Sequence, residues 1–450
     1  MFIDFLKRVF QENARSDAII WLDKVYPYQW LLDRVHNWDD VLCRENINEG
    51  NVVILEADFS PNATALFLSL LDRGCILVPL TSVAAAKRRE FIEIAQGEFL
   101  MTIDRDDEVA IRPLSGPARH ILYENLRQAH HPGLVIFSSG STGQSKAAVH
   151  DLSFLLEKFK AQRHKYRTIT FLLYDHIGGL NTMLYTLANG GCLITVHDRS
   201  MDSVLKAVEQ NKAELLPASP TFLNLMLLGE AYKKYDCSSL KRITYGTEPM
   251  PETTLKRLHE LFPAVDLLQT YGLSEVGILR SKSKSSDSLW LKIGGDGFET
   301  QVVNGILHIK AKSAMLGYLN AESPMTADGW LDTGDMVEEE DGYLKILGRK
   351  SELINVGGQK VFPIEVENVI RQMDNVAEAV VYGEKNSIIG NIVCVRINLV
   401  EDEPNERDFV VRLKEFCRQR LEPYKVPVKV NIVQDQLYSQ RFKKQRIMGP

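Results

Sequence analysis

Leu134-Val-Ile-Phe-Ser-Ser-Gly-Ser-Thr-Gly-Gln-Ser-Lys146 is the stretch on which the reading of this chain turns. Four apolar residues run into a loop of small hydroxyl and glycine residues closed by a lysine. The apolar run predicts a buried parallel strand. In the loop, Ser138, Ser139, Ser141 and Thr142 offer hydroxyls. Gly140 and Gly143 allow the backbone to approach a ligand and turn its amides inward. Lys146 adds a point charge. Such a loop suits a polyphosphate. It is not a Walker A loop, because no glycine adjoins the lysine and no Ser or Thr follows it. That spacing disfavours an ordinary P-loop NTPase or kinase.

On either side of this stretch, from residue 51 to 292, short apolar runs alternate with helical patterns. Val52–Leu55 and Cys75–Val78 read as strands, with a helix over Asn62–Arg73 between them. Thr168–Tyr174 and Cys192–Val196 repeat the pattern around a helix over Asn181–Ala188. Leu240–Tyr245 and Asp266–Gln269 repeat it around Pro251–Phe262. Asp151 is placed to cap a helix with the stripe Leu152, Leu155, Leu156 and Phe159. The alternation predicts an α/β fold of doubly wound parallel sheets. From about 293 to 347, short alternating strands and turn residues predict a small antiparallel, barrel-like unit. The last 100 or so residues are of a size for a compact α+β domain. We therefore divide the chain into a large N-terminal domain, 1–350, and a smaller mobile C-terminal domain, 351–450.

Composition excludes several classes. The chain has 450 residues, 45% hydrophobic and 25% charged, with a net charge of -6. Its length calls for more than one domain, and its charge gives no reason to expect nucleic acid. No apolar run approaches the ~20 residues that span a bilayer. The start, Met1-Phe-Ile-Asp-Phe-Leu-Lys-Arg8, lacks a secretory-signal pattern. Cys43, Cys75, Cys192, Cys237, Cys394 and Cys417 include no C-x-x-C pair, which predicts a reducing, cytoplasmic setting.

Further motifs follow in order. Thr270-Tyr-Gly-Leu-Ser-Glu275 joins an aromatic face, a turn, a hydroxyl and a carboxylate. Gly329-Trp-Leu-Asp-Thr-Gly-Asp335 sets a carboxylate after a tight turn. Gly348-Arg-Lys-Ser-Glu-Leu-Ile-Asn-Val-Gly-Gly-Gln-Lys360 leads into Val361-Phe-Pro-Ile-Glu-Val-Glu367. The chain closes on Gln440-Arg-Phe-Lys-Lys-Gln-Arg446. Together with the Ser/Gly loop, these resemble the adenylate-forming enzymes along nearly the whole chain: acyl- and aryl-CoA ligases, luciferases and carrier-protein-loading adenylation domains.

The resemblance implies roles residue by residue. The loop Ser138, Ser139, Gly140, Ser141, Thr142, Gly143 and Lys146 would hold the triphosphate of ATP. Tyr271 with Gly272 would stack near adenine, with Gly246, Thr247 and Glu248 on its other side. Ser274 would touch the α-phosphate and Glu275 would hold Mg2+. Asp335 and Arg349 would bind ribose. Lys443 would bridge the attacking carboxylate and the α-phosphate, with Lys444 as its competitor. Three departures stand out: Ser274 replaces a Thr, Ser351 occupies the hinge position, and Phe442 and Lys444 replace the Gly and Ile that flank the lysine.

Tyr174-Asp-His-Ile-Gly-Gly-Leu180 resembles the acyl-pocket motif. It implies that His176 gates the carboxylate and that Gly178 and Gly179 leave room for a ring or chain. Asp175 would matter to an ammonium-bearing substrate only after a one-residue shift, so an acid without an α-amino group is expected. The implied reaction forms acyl-AMP and pyrophosphate. The C-terminal domain then rotates about Ser351, and Gly357 and Gly358 line a tunnel for a pantetheine thiol of CoA or a carrier protein. The alternatives are an amino-acid-activating enzyme, a non-catalytic nucleotide-binding relative, and an NTPase or kinase.

Overall fold

A computed structural model describes residues 1–81, 85–114, 116–139, 145–196, 198–386, 390–438 and 444. The strand Gly133–Ser139 runs parallel to Ile76–Leu80, which pairs parallel with Val52–Glu56, and that in turn with Phe99–Ile103. These strands are buried on both faces. Val53, Leu55 and Leu77 join one apolar cluster, and Val52, Ile54, Ile76 and Val78 join another. That is why the sequence shows unbroken apolar runs rather than alternation. Antiparallel strands close the sheet's edges: Val109–Pro113 on one side, Ser145–Asp151 and then Gly317–Tyr318 on the other. The sheet is therefore mixed, and the Ser/Gly loop joins two strands of a hairpin. Residues 140–144 of that loop lie outside the described residues.

A second seven-stranded sheet is parallel apart from its edge strand, Lys24–Pro27. The largest core lies between the two sheets. It joins Val53 and Leu55 to Ile19 and Leu193 through Leu31, Leu66 and Leu180 of three intervening helices. Ser60 caps the helix Pro61–Asp72 by accepting from the Ala63 amide, with proline in the first turn.

Two expectations change in the second sheet and the helix that follows its strand. The strand expected over Thr168–Tyr174 is only Arg167–Ile169, because its partner Cys192–Ile194 ends there. The helix expected from Asn181 begins instead at Ile177. The Gly178-Gly179 pair reads as a loop but forms the helix's first turn. A Cβ on Gly179 would stand 2.0 Å from the Leu173 carbonyl oxygen, so the glycine permits a close backbone approach.

The antiparallel unit is a seven-stranded sheet that starts earlier than expected, at Tyr271–Leu273, and ends at Tyr343–Arg349. The final segment holds five strands and the helices Pro363–Ile370 and Glu406–Arg418 around their own core, including Val381, Val395, Phe409 and Leu413. No helix among the described residues is long and apolar enough to cross a membrane.

Candidate active site

The first two sheets, the antiparallel sheet and the final segment meet around one large cavity of about 1780 Å³. Ser138 and Lys146 reach its wall from the two strands of the hairpin. Lys146 sets its ammonium 5.3 Å from the ring centre of Tyr318. The Tyr318 hydroxyl donates to Glu275 Oε1 at 2.5 Å. A cation and a carboxylate on the cavity wall are thus linked through one phenol that the sequence motifs did not single out. The lone signal for it is Gly317-Tyr318 itself, a two-residue strand against Ala148 and Val149.

Ser274 and Glu275 follow the strand Tyr271–Leu273 and line the cavity. Their loop is held from behind by His150. Its Nε2 lies 2.6 Å from the Ser274 carbonyl oxygen, and its Nδ1 lies 3.3 Å from that of Ser313. Full burial lowers the His150 pKa, against the opposing pull of the two carbonyl contacts. Among the described residues no group of three or more metal-ligating side chains occurs. Glu275 is a single carboxylate, the kind of ligand that Mg2+ takes alongside substrate phosphates.

Asp335 and Arg349 face one another on paired strands, with Arg349 Nε 3.1 Å from Asp335 Oδ1. The Tyr271 hydroxyl donates to Asp335 Oδ2 at 2.5 Å. Burial raises the Asp335 pKa against the opposing pull of Arg349. Both carboxylate oxygens are engaged by protein groups. Tyr271 is buried with its ring in the antiparallel core, so it does not present the stacking face expected of it. Gly272, Leu273 and Arg349 stand on the wall in its place.

The segment Gly246-Thr247-Glu248 lies across the cavity. A Cβ on Gly246 would meet Thr270 Oγ1 at 2.6 Å. Thr247 lines the wall with φ +74°, a left-handed conformation costly for a β-branched residue. Glu248 turns away from the cavity and accepts from the Thr221 amide at 2.8 Å.

His176 lines the cavity and caps the helix Ile177–Ala188, its Nδ1 accepting from the Gly178 amide at 3.0 Å. Gly178, Asn181, Thr182 and Tyr185 follow it on one helical face along the wall. Gly179 instead faces Leu173, so it makes no room for a substrate. Asp175 is buried, and its Oδ2 accepts from Thr81 Oγ1 at 2.8 Å; it is not on the wall.

From the final segment, Ser351 lines the cleft within the short turn Lys350–Glu352. Gly357 and Gly358 form the two-residue turn between Ile354–Val356 and Gln359–Val361, at φ +58° and +87°. They stand off the cavity wall. Lys443 lies outside the described residues, as do Gly140, Ser141, Thr142 and Gly143. The side chain of Ser139 does too.

Lys444 is placed. Its ammonium lies 2.5 Å from Glu367 Oε2 and 3.6 Å from Glu378 Oε1, and Glu378 also pairs with Arg371. These four side chains form a neutral, buried quartet in the final segment.

The profile described as AMP-binding enzyme matches residues 6–294, and that of the AMP-binding enzyme C-terminal domain matches residues 365–444. An indoleacetate–CoA ligase of Aromatoleum aromaticum is 28% identical over 66% of this chain and 63% of its own length. A 2-succinylbenzoate–CoA ligase of Bacillus licheniformis is 28% identical over 77% of this chain and 78% of its own. The crystal structure of the anthranilate CoA ligase AuaEII with anthranoyl-AMP superposes with a TM-score of 0.84 at 18% identity, covering 99% of this chain and 95% of that one.

Proposed function

We propose, for a chain that belongs to the AMP-binding enzyme family of adenylate-forming proteins, that it is an ATP-dependent acid–thiol ligase. One observation carries this reading above the rest. A single cavity joins the phosphate-side groups Ser138, Lys146, Ser274 and Glu275 to the acid-side residue His176 and its helix face. A carboxylate and an α-phosphate can meet there.

The carboxylate oxygen attacks the α-phosphorus of ATP, the bond to the β-phosphate breaks, and pyrophosphate leaves. Activation is needed because a free carboxylate is a poor electrophile toward a thiol. The loop Ser138–Lys146 holds the triphosphate, and Ser274 donates to the α-phosphate. Glu275, oriented by Tyr318, holds Mg2+, which when bound would neutralise charge on the phosphates. Arg349, held by Asp335, positions the ribose. His176 orients the carboxylate, held in place by its bond to the Gly178 amide.

Positioned positive charge is the main requirement of such a transfer. Lys443 supplies it, because the Lys444 ammonium is committed to Glu367 and Glu378. A pantetheine thiol of CoA or a carrier protein then attacks the acyl-AMP carbonyl. AMP leaves and the thiol proton passes to solvent. Ser351, at the junction with the final segment, absorbs the rotation between the two steps, and the Gly357-Gly358 turn moves to the thiol path.

Amino-acid activation is the weaker reading, since Asp175 is turned to Thr81 rather than to the cavity. The test is carboxylate-dependent exchange of labelled pyrophosphate into ATP across aryl, fatty and amino acids. Exchange with a carboxylic acid is expected. ATP binding without exchange for any acid would mean a non-catalytic nucleotide binder.

A further inference from the structure

The acid-side half of the cavity carries positive charge with almost no carboxylate to balance it. Lys158 projects into it from the short turn Glu157–Phe159, beside Ile177, Asn181 and Ile278. Its Nζ donates to the Ile278 carbonyl oxygen at 2.8 Å and lies 5.0 Å from the ring centre of Phe159. An ammonium has three donors, so two remain for a ligand. Arg163 and Arg280 line the same end of the cavity. Among the described residues Arg280 has only a long contact, 3.9 Å, with the fully exposed Asp296, and no carboxylate is paired with the Arg163 side chain. Arg242, also on this wall, is already matched by Asp266 at 2.7 Å.

The carboxylates on the cavity wall, Glu275, Asp332 and Glu352, belong to the nucleotide side and the hinge. Burial together with repulsion from Arg163 and Arg280 lowers the Lys158 pKa to about 7. A lysine held among like charges is costly to the fold. A carboxylate arriving beside it would reverse that repulsion and complete its hydrogen bonds.

We propose that the acid bound here carries a second anionic group at the end remote from the reacting carboxylate, received by Lys158 with Arg163 and Arg280. This rests on the acid–thiol ligase reading and narrows its substrate class. The helix face from Gly178 to Tyr185 sets the scale. Seven residues at helical rise span about 10 Å, room for a mid-length dicarboxylate or an aryl acid with a distal carboxylate.

The test pairs octanoate with octanedioate, and 4-methylphenylacetate with 4-carboxyphenylacetate. Each is measured by pyrophosphate exchange and, separately, by thermal-shift binding to the full chain. The expected result is a preference for each dianion of roughly ten- to a hundredfold in kcat/KM. In Lys158→Met that ratio falls toward one, and Lys158→Arg restores part of it. Arg163→Gln, a change at an exposed position, lowers the ratio without disturbing the Ile278 contact. A preference for the monoacids would overturn the inference. So would a Lys158→Met defect equal for all four acids, or one confined to the KM of the thiol. If no acid supports exchange, the ligase reading fails. The charge reading then stands or falls on whether the diacids alone shift the melting temperature, and whether Lys158→Met removes that shift.

Discussion

Lys444→Met tests whether this lysine serves the fold or the chemistry. In the structure its side chain is 5% exposed, and those of Glu367, Arg371 and Glu378 are 0%, 4% and 2% exposed. Two cations face two anions, and Glu367 Oε1 also accepts from the Val381 amide at 3.1 Å. Deleting the ammonium leaves the quartet at net -1 in the core of the final segment. Removing one partner of a buried pair costs about 3–5 kcal/mol. For a unit of this size each kcal/mol moves the melting temperature by roughly 4–8 °C, so a fall of roughly 12–40 °C is expected by calorimetry.

The loss should shrink in acid. Protonating a buried carboxylate that has lost its cation removes an unpaired charge from the core, so the variant regains stability relative to the parent as pH falls. Lys444→Met combined with Glu367→Leu should recover most of the loss, because an apolar pair can replace an ion pair at little cost. Lys443→Met should melt like the parent and lose pyrophosphate exchange. If Lys444→Met instead melts within a degree of the parent while exchange disappears, the argument is refuted and the adenylation role passes to Lys444.

Other outcomes follow from single contacts. Tyr318→Phe removes the hydroxyl that orients Glu275. It should raise the Mg2+ concentration for half-maximal exchange and slow turnover by about tenfold, as loss of a charge-assisted hydrogen bond predicts. Gly179→Ala drives a methyl into the Leu173 carbonyl oxygen and should destabilise by about 3 kcal/mol, seen as a lowered urea midpoint. A midpoint equal to the parent's would mean that the first turn of the helix can move aside freely. Lys158 sheds its proton at about pH 7 when folded, below the usual lysine range. Between pH 7 and about 10 the unfolded chain therefore binds more protons, and stability rises with pH. Lys158→Met should remove that rise, so the stability difference between the two proteins should change across that window.

Much of this was legible in the residues, for identifiable reasons. The parallel strands appear as apolar runs because both their faces are buried, and Asp151 announces the helix it caps. The start of the helix at Ile177 was not legible. Gly-Gly normally breaks helices, and its purpose here is an approach to Leu173 that only the tertiary fold creates. Tyr271 was read as a stacking face because aromatic character shows in sequence, whereas the hydroxyl bond to Asp335 spans 64 residues and does not. Lys158, Arg163 and Arg280 carry no joint signal of their own for the same reason: the first two sit in surface-like sequence and the third over a hundred residues away. Their one sequence signal is the polar face Asn181, Thr182 and Tyr185 on an otherwise apolar helix.

The buried quartet also fixes the smallest portable unit of the final segment. Three of its members lie between residues 367 and 378, in the first helix, at its C-terminal cap and in the strand after it, and the fourth is residue 444, joined back to Tyr438 by a bridge. Any graft of this segment onto another chain, or any exchange between homologues, must carry both ends together. A junction placed in the intervening strands would import two glutamates without their lysine. Compatibility in such chimeras would then be decided by charge balance at residue 444 rather than by the match of the joined surfaces.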